Sequence, residues 1–276
     1  MTRVHGPIGH ELVDCGDGRR LERFGPRLVD RPAPAAVERR RLPSEAWHAA
    51  DLVFDRDRGW IGRDQSPWTV EIDGLTLELR PTAAGQIGLF PEHATFWPWL
   101  RDVVEDRPGA AVLHLFAATG ATTLALARSG AQVTHVDAAR GVVAWARRNA
   151  ELSGLADRPV RWIVDDALAF TRREARRGRR FDLLVLDPPS WGHAASGERW
   201  ELRRSLPDLL DAAAAVATAE AAILLTAHTT GLDPVDLEAA LADAFGSGSI
   251  SAEPLAIRAR SGAELSVGVA ARMIRG

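Results

Sequence analysis

Several short stretches of this sequence carry residues whose types and spacing can do chemistry, and the most specific is Asp187-Pro188-Pro189-Ser190-Trp191. Two prolines fix the backbone and leave carbonyls without neighbouring donors. An Asp held beside them can accept a hydrogen bond from a substrate N–H, and a nearby aromatic can stack on a flat ring. Asp187, Pro188 and Pro189 are therefore candidate catalytic residues, against the simpler reading of a rigid turn that caps a helix. His228, in Ala227-His228-Thr229-Thr230, can take up a proton; a lone His at such a place also serves as a packing residue. Asp137 can accept both hydroxyls of a ribose, or cap a helix. Asp165 and Asp166 offer further acceptors, and Asp166, followed by Ala167, is also placed to cap. In Phe116-Ala117-Ala118-Thr119-Gly120-Ala121-Thr122-Thr123, small residues let backbone approach a ligand. A helix starting there would present free N–H groups.

These stretches need elements to hold them, and the patterning supplies a strand before each. Apolar runs at Val112 to Phe116, Val133 to Val136, Val160 to Val164, Phe181 to Leu186 and Ala222 to Thr226 read as strands. Between them, Ala121 to Arg128, Val142 to Leu152, Leu168 to Arg177, Leu202 to Ala219 and Pro234 to Phe245 read as helices. The run Phe181 to Leu186 is nearly all apolar, as for a strand buried on both faces. Alternation of this kind predicts an α/β fold, a mostly parallel sheet with helices on both faces. Ligands of such sheets bind at the carboxyl ends of strands, where every candidate above falls. Two last strands, Leu255 to Arg258 and Leu265 to Met273, turn at Ser261-Gly262, which makes the final strand antiparallel. No G-x-G-x-x-G is present, so the dinucleotide fingerprint is missing.

Before Pro98 the signals differ. Leu12-Val13-Asp14 with the turn pair Asp17-Gly18, and Arg27-Leu28-Val29, are short strands. Pro32 to Pro43 reads as a loop or short helix. Val70 and Ile72, then Asp73-Gly74, then Leu75, Leu77 and Leu79 predict a hairpin with a two-residue turn. The expected organisation is a small β-rich domain over residues 1–97 and the α/β domain over residues 98–276.

Composition narrows the function classes. Lys+Arg number 34 against 37 Asp+Glu, a net charge of −3, so contact with nucleic acid must come from a local patch. Arg172, Arg173, Arg176, Arg177, Arg179 and Arg180 form one on a predicted helix and its end. It is either a phosphate-binding surface or a solvated face complementing the helix dipole. Arg39, Arg40 and Arg41 form a smaller patch. The single cysteine, Cys15, excludes a disulfide framework and a Cys-based zinc site, and no metal is expected. Neither a signal peptide nor a long apolar span is visible, so a cytoplasmic protein is expected.

The stretches LHLFAATGATTLALARSGAQVTHVDAARGVVAWARRNAELSGL, WIVDDALAF and FDLLVLDPPSWG resemble the class I S-adenosylmethionine (SAM)-dependent methyltransferases. In particular they resemble the bacterial large-subunit (23S) ribosomal RNA methyltransferase group. LVDCGDGRRLERFGPRLVDRP and GLFPEH resemble the segments that precede the catalytic domain there. The resemblance implies a Rossmann-like sheet of seven strands with an antiparallel last strand, SAM as cofactor, and methyl transfer. Carried over to this sequence, it implies that Phe116, Thr119 and Gly120 line the methionine and ribose of SAM. Asp137 would hold the ribose hydroxyls, and Asp166 and Ala167 would contact adenine. Asp187 and Pro188 would face the methyl acceptor, while Phe90 and Glu92 belong to a segment that closes over the cofactor. The PUA-type module of some relatives is not expected. Methylation of cytosine C5 needs a cysteine nucleophile, and none lies near Asp187. The expectation is thus methylation of an RNA base nitrogen. A small-molecule or protein acceptor, and a non-catalytic SAM- or nucleotide-binding protein, are the alternatives.

Overall fold

A computed structural model describes residues 9–193 and 199–276. The chain forms two compact units, one of residues 1–95 with 256–267, the other of residues 96–255 with 268–276.

In the first unit, β1 (His10–Gly16), β2 (Arg19–Phe24), β3 (Arg27–Pro32), β4 (Leu52–Asp55) and β5 (Gly59–Gly62) form one sheet in that order, with a short helix α1 (Ser44–His48) between β3 and β4. The β1–β2 turn places Asp17 and Gly18 at φ 51° and 73°, the left-handed pair that tight hairpins require. β6 (Trp68–Ile72) and β7 (Leu75–Leu79) make the predicted hairpin, turning at Asp73 and Gly74 with φ 47° and 70°. Its strands bury alternate residues. Residues 33–43 form no strand or helix. A buried ion cluster fixes this unit. Arg31 Nε donates to Glu22 Oε2 at 2.6 Å and Nη1 to Gln86 Oε1 at 2.7 Å. Burial pushes the Glu22 carboxyl up, but Arg20 and Arg31 outweigh it and hold it well below the usual carboxylate range.

The second unit starts with α2 (Trp97–Glu105), then alternates: β8 (Ala111–Leu115), α3 (Ala121–Arg128), β9 (Gln132–Asp137), α4 (Arg140–Leu152), β10 (Val160–Val164), α5 (Ala167–Arg176) and β11 (Phe181–Leu186). A small hairpin of β12 (Trp191–His193) and β13 (Arg199–Glu201) follows, then α6 (Leu202–Ala214), β14 (Ala217–Ala227), α7 (Pro234–Phe245) and the long strands β15 (Gly248–Arg258) and β16 (Glu264–Arg275), of which residues 256–267 count with the first unit. The seven-stranded sheet runs β10-β9-β8-β11-β14-β16-β15. β8 to β11 and β14 pair in parallel, and β16 pairs antiparallel with β14. This is the expected Rossmann-like sheet with a reversed strand. The order doubles back between β8 and β11, which makes their carboxyl ends the switch point.

Leu113, Leu115, Leu184, Leu186, Ile223 and Leu225 pack with Phe170 of α5, Leu206, Leu209 and Leu210 of α6 and Leu237 and Leu241 of α7. Each such side chain, fully removed from water, contributes about 1.5–3 kcal/mol before entropy is counted. The alternate residues of the same strands, His114 among them, point to the other face, where α3 lies. Two sequence expectations are corrected. The alanine-rich helix ends at Ala214 rather than Ala219, and β14 starts at Ala217 rather than Ala222. Phe181 N donates to Val216 O at 2.8 Å and Phe181 pairs with Ala217, so a place beside β11 overrides the helix preference of alanine. The closing strands are also several residues longer than their apolar alternation shows, β15 being a largely exposed edge. α2 was not foreseen; it buries Trp97, Leu100, Val103 and Val104 on one face, with Pro98 in its first turn.

Candidate cofactor and acceptor site

The loop after β8 is held in an unusual backbone conformation. Phe116 and Ala118, neither a glycine, have φ 56° and 49°, and Gly120 follows with φ 86° as the residue before α3. Non-glycine residues in the left-handed region cost about 1 kcal/mol or more each and persist where the surroundings fix them. Those surroundings are visible. Ala117 N donates to Val136 O at 3.1 Å, and Asn149 Nδ2 of α4 donates to Thr119 O at 2.9 Å. Gly120 has no room for a side chain, since a Cβ there would lie 2.9 Å from Ala146 Cβ. No side chain caps α3. Its first N–H groups and dipole are thus available to an anionic group such as a carboxylate.

Asp137, the last residue of β9, faces this loop. Its Oδ2 accepts Ala118 N at 3.0 Å and its Oδ1 accepts Ala139 N at 2.9 Å. Each oxygen keeps a further lone pair, enough for a vicinal pair of hydroxyls. Burial raises the Asp137 pKa, and the two amides only partly offset it. At the end of β10, Asp166 caps α5, with Oδ1 accepting Ala169 N at 2.8 Å, so the capping role considered from the sequence is the one its Oδ1 fulfils. Asp165 pairs with Arg173 and accepts Asp166 N at 2.8 Å. Ala167 is buried beneath the same turn.

Across the switch point, Asp187 follows β11. Its Oδ1 accepts Thr226 Oγ1–H at 2.5 Å and lies 3.1 Å from His228 Nε2. The other imidazole nitrogen, Nδ1, is turned toward β16: a Cβ on Gly268 would stand 3.1 Å from it. Pro188 is buried and Pro189 exposed. The idea that both proline carbonyls lack donors needs correction, because Trp200 Nε1 donates to Pro189 O at 2.6 Å. Trp200 packs in turn on Phe116, ring centroids 5.2 Å apart, and so links the loop after β11 to the loop after β8. Thr229 Oγ1 donates to Ser190 Oγ at 2.8 Å. Trp191 on β12 is 57% exposed.

The structure therefore brings Phe116, Thr119, Gly120, Asp137, Asp166, Ala167, Asp187, Pro188, Pro189 and His228 to the carboxyl end of one sheet. Phe90 and Glu92 belong to the first unit. Phe90 stacks on His93, centroids 5.9 Å apart, and Glu92 is buried in the 3-10 turn Pro91–Phe96. Sequence reading missed Thr226, Asn149 and Trp200, whose partners lie 39, 30 and 11 residues away. The Arg patch is partly neutralised within the chain: Arg172 pairs with Asp208, Arg173 with Asp165 and Arg177 with Glu174. Arg180 donates to the Arg179 carbonyl at 3.0 Å, and Arg176 and Arg179 are exposed.

Among the described residues no helix is long and apolar enough to cross a membrane. Comparison with known proteins matches residues 15–233 to the S-adenosylmethionine-dependent methyltransferase family. The crystal structure of a SAM-dependent methyltransferase from Agrobacterium tumefaciens is 34% identical, covers 99% of this chain and 92% of its own, and has a TM-score of 0.93. A putative methyltransferase complexed with SAH, SMU.776, shares the fold at 15% identity, with a TM-score of 0.80 over 98% of this chain and 76% of its own. The ribosomal RNA large subunit methyltransferase K/L of Magnetococcus marinus is 28% identical over 188 residues, 67% of this chain and 24% of that protein. The chain spans only 14% to 35% of the length of such curated relatives. By the family match over most of its length and its likeness to the Agrobacterium enzyme, the chain belongs to the S-adenosylmethionine-dependent methyltransferases.

Proposed function

We propose that this chain transfers the methyl group of SAM to a nitrogen of an RNA base, with ribosomal RNA as the substrate class and the cytoplasm as its place. The observation that carries the reading is the pairing, across the switch point, of a cofactor loop at Phe116–Gly120 with the acceptor loop Asp187-Pro188-Pro189. RNA enters from the names of the curated relatives, which are ribosomal RNA methyltransferases.

The site fits the cofactor. The uncapped start of α3 suits the methionine carboxylate, and the two remaining lone pairs of Asp137 suit the ribose hydroxyls. Phe116, Thr119 and Gly120 would line the methionine and ribose, and Asp166 and Ala167 the adenine edge. Phe90 and Glu92 would close over the cofactor. When bound, SAM supplies an already activated methyl on a sulfonium. The work left to this chain is to orient the nucleophile and exclude water. Asp187 would accept an N–H of the acceptor, aided by the Pro188 carbonyl, and stabilise the positive charge that develops on nitrogen. Thr226 and His228 hold that carboxylate in place. Because His228 Nε2 is committed to Asp187 and Nδ1 is turned to β16, we assign His228 to orienting Asp187 ahead of taking the substrate proton.

A small-molecule or protein acceptor is the second reading, and the ion pairs that occupy Arg172, Arg173 and Arg177 favour it. Transfer of labelled methyl from SAM to total RNA of cells lacking the gene separates the two. Labelled RNA supports the first reading. Unlabelled RNA, with label in a small-molecule or protein fraction, replaces it with the second.

A further inference from the structure

Beneath the cofactor loop lies a buried polar cluster that the proposed reaction does not use. His114 of β8, Thr123 of α3 and His135 of β9 are 4%, 0% and 0% exposed. Thr123 Oγ1 is 2.7 Å from His114 Nδ1 and 2.9 Å from His135 Nδ1. A hydroxyl has one proton, so it can donate to only one of these nitrogens. The other must carry its own proton to make a hydrogen bond. The two Nδ1 atoms are thus in opposite protonation states.

The remaining nitrogen decides which is which. His135 Nε2 is buried and has no hydrogen-bond partner among the described residues. A bare buried acceptor is tolerated better than an orphaned buried N–H. Nε2 of His135 is therefore the unprotonated nitrogen and Nδ1 the protonated one. Burial above all, with the Arg147 charge nearby, holds the His135 imidazole well below its usual range, which keeps it neutral at physiological pH.

We infer that His135, Thr123 and His114 form a one-directional hydrogen-bond relay that positions the cofactor loop: His135 Nδ1–H donates to Thr123 Oγ1, and Thr123 O–H donates to His114 Nδ1. The relay rests on the cofactor reading above, and its placement gives it that role. His114 lies two residues before Phe116 on β8, and His135 two before Asp137 on β9, so it braces both strands directly under their ligand-facing ends. Thr123 braces the first turn of α3. A Cβ on Gly120 would come within 3.7 Å of His135 Cε1, so the loop packs directly on the relay. Thr123, His114 and His135 are positioning residues; none of them is assigned a contact with SAM.

Imidazole nitrogen shifts of the intact chain labelled with 15N-histidine report the tautomers directly. The expected spectrum has His135 protonated at Nδ1 and His114 at Nε2; His135 in the commoner Nε2–H form would overturn the relay. Calorimetry with SAM supplies the second readout. Thr123→Val keeps the shape and removes the hydroxyl, and it is expected to weaken SAM binding about five- to tenfold, while Thr123→Ser restores it. Wild-type affinity in a folded Thr123→Val would overturn the positioning role. Should the wild type itself bind no SAM, the cofactor reading fails, and the tautomers still decide the relay. If Thr123→Val does not fold, the wild-type spectrum and the serine variant remain decisive.

Discussion

His228 Nε2 stands 3.1 Å from Asp187 Oδ1, joining the ends of β14 and β11 across 41 residues of sequence. Thr226 donates to the same oxygen from two residues earlier. Because successive strand residues alternate faces, Thr226 and His228 reach the carboxylate from the same side of β14. The acceptor loop is thus held from the neighbouring strand as well as by its own prolines. An acid so fixed needs little reorganisation when charge develops beside it, which is the usual source of large electrostatic effects.

The first prediction concerns this acid. Asp187→Asn preserves shape and removes the negative charge. Methyl transfer is expected to fall by about a hundredfold or more, with SAM affinity kept within a few-fold. Single-turnover transfer and calorimetry on the same preparation check it, and transfer at the wild-type rate removes Asp187 from the mechanism. Thr226→Val and His228→Gln, which disturb only the orientation of Asp187, are expected to cost less, roughly tenfold each.

The second concerns Asp137. Asp137→Ala loses the proposed acceptor of the ribose hydroxyls and is expected to weaken SAM binding by about 1.5–3 kcal/mol, the range for hydrogen bonds to a charged group. Burial raises the pKa of this carboxyl in the ligand-free protein. The folded state therefore binds more protons than the unfolded chain between the ordinary carboxylate value, about 3.9, and the raised one. Within that window Asp137 contributes stability that grows as pH falls, opposite in sign to a salt-bridged acid. Ribose hydroxyls need the ionised form, so SAM affinity should drop as pH falls through the raised value. Calorimetry across the acid range reads this, and a flat profile argues that Asp137 does not hold the ribose.

How much of this site the sequence discloses depends on the range of each interaction. Asp137, Asp166 and Asp187 are legible because each stands at the end of an apolar run, and strand ends are where such sheets bind ligands. Asp166 shows the limit: its two candidate roles have the same local signature, and only the bond to Ala169 N identifies the cap. Thr226, Asn149 and Trp200 carry no local signal, since each acts on a loop distant in sequence. The same holds for the alanine run after Ala214, where pairing beside Phe181 overrides propensity.

The third prediction concerns the one glycine of the cofactor loop. Gly120 combines φ 86° with a Cβ position 2.9 Å from Ala146 Cβ. Gly120→Ala meets both the left-handed penalty and a clash with α4, for a loss of about 1–3 kcal/mol in stability. SAM affinity should fall with it, because relief requires the loop to move. Thermal unfolding and calorimetry check this. By contrast Ala118→Gly, where φ is 49°, removes strain without a clash and should leave SAM binding in place. If both variants behave as wild type, the loop is not held as the geometry indicates.

The last prediction separates RNA from other acceptors. Arg172, Arg173 and Arg177 are engaged with Asp208, Asp165 and Glu174, whereas Arg176 and Arg179 are exposed at the end of α5 and in the turn after it. A phosphate surface would draw first on the exposed pair, since a paired arginine must give up its carboxylate before it can serve. Arg176→Ala with Arg179→Ala is expected to weaken RNA binding across all sequences and to flatten its salt dependence. The slope of log K against log salt should change by about 0.7 for each lost contact to single-stranded phosphate. SAM affinity should not change, as neither residue belongs to the cofactor loop. Equal RNA affinity and an unchanged slope would remove this patch from the interface, and the −3 net charge would then weigh toward an acceptor other than RNA.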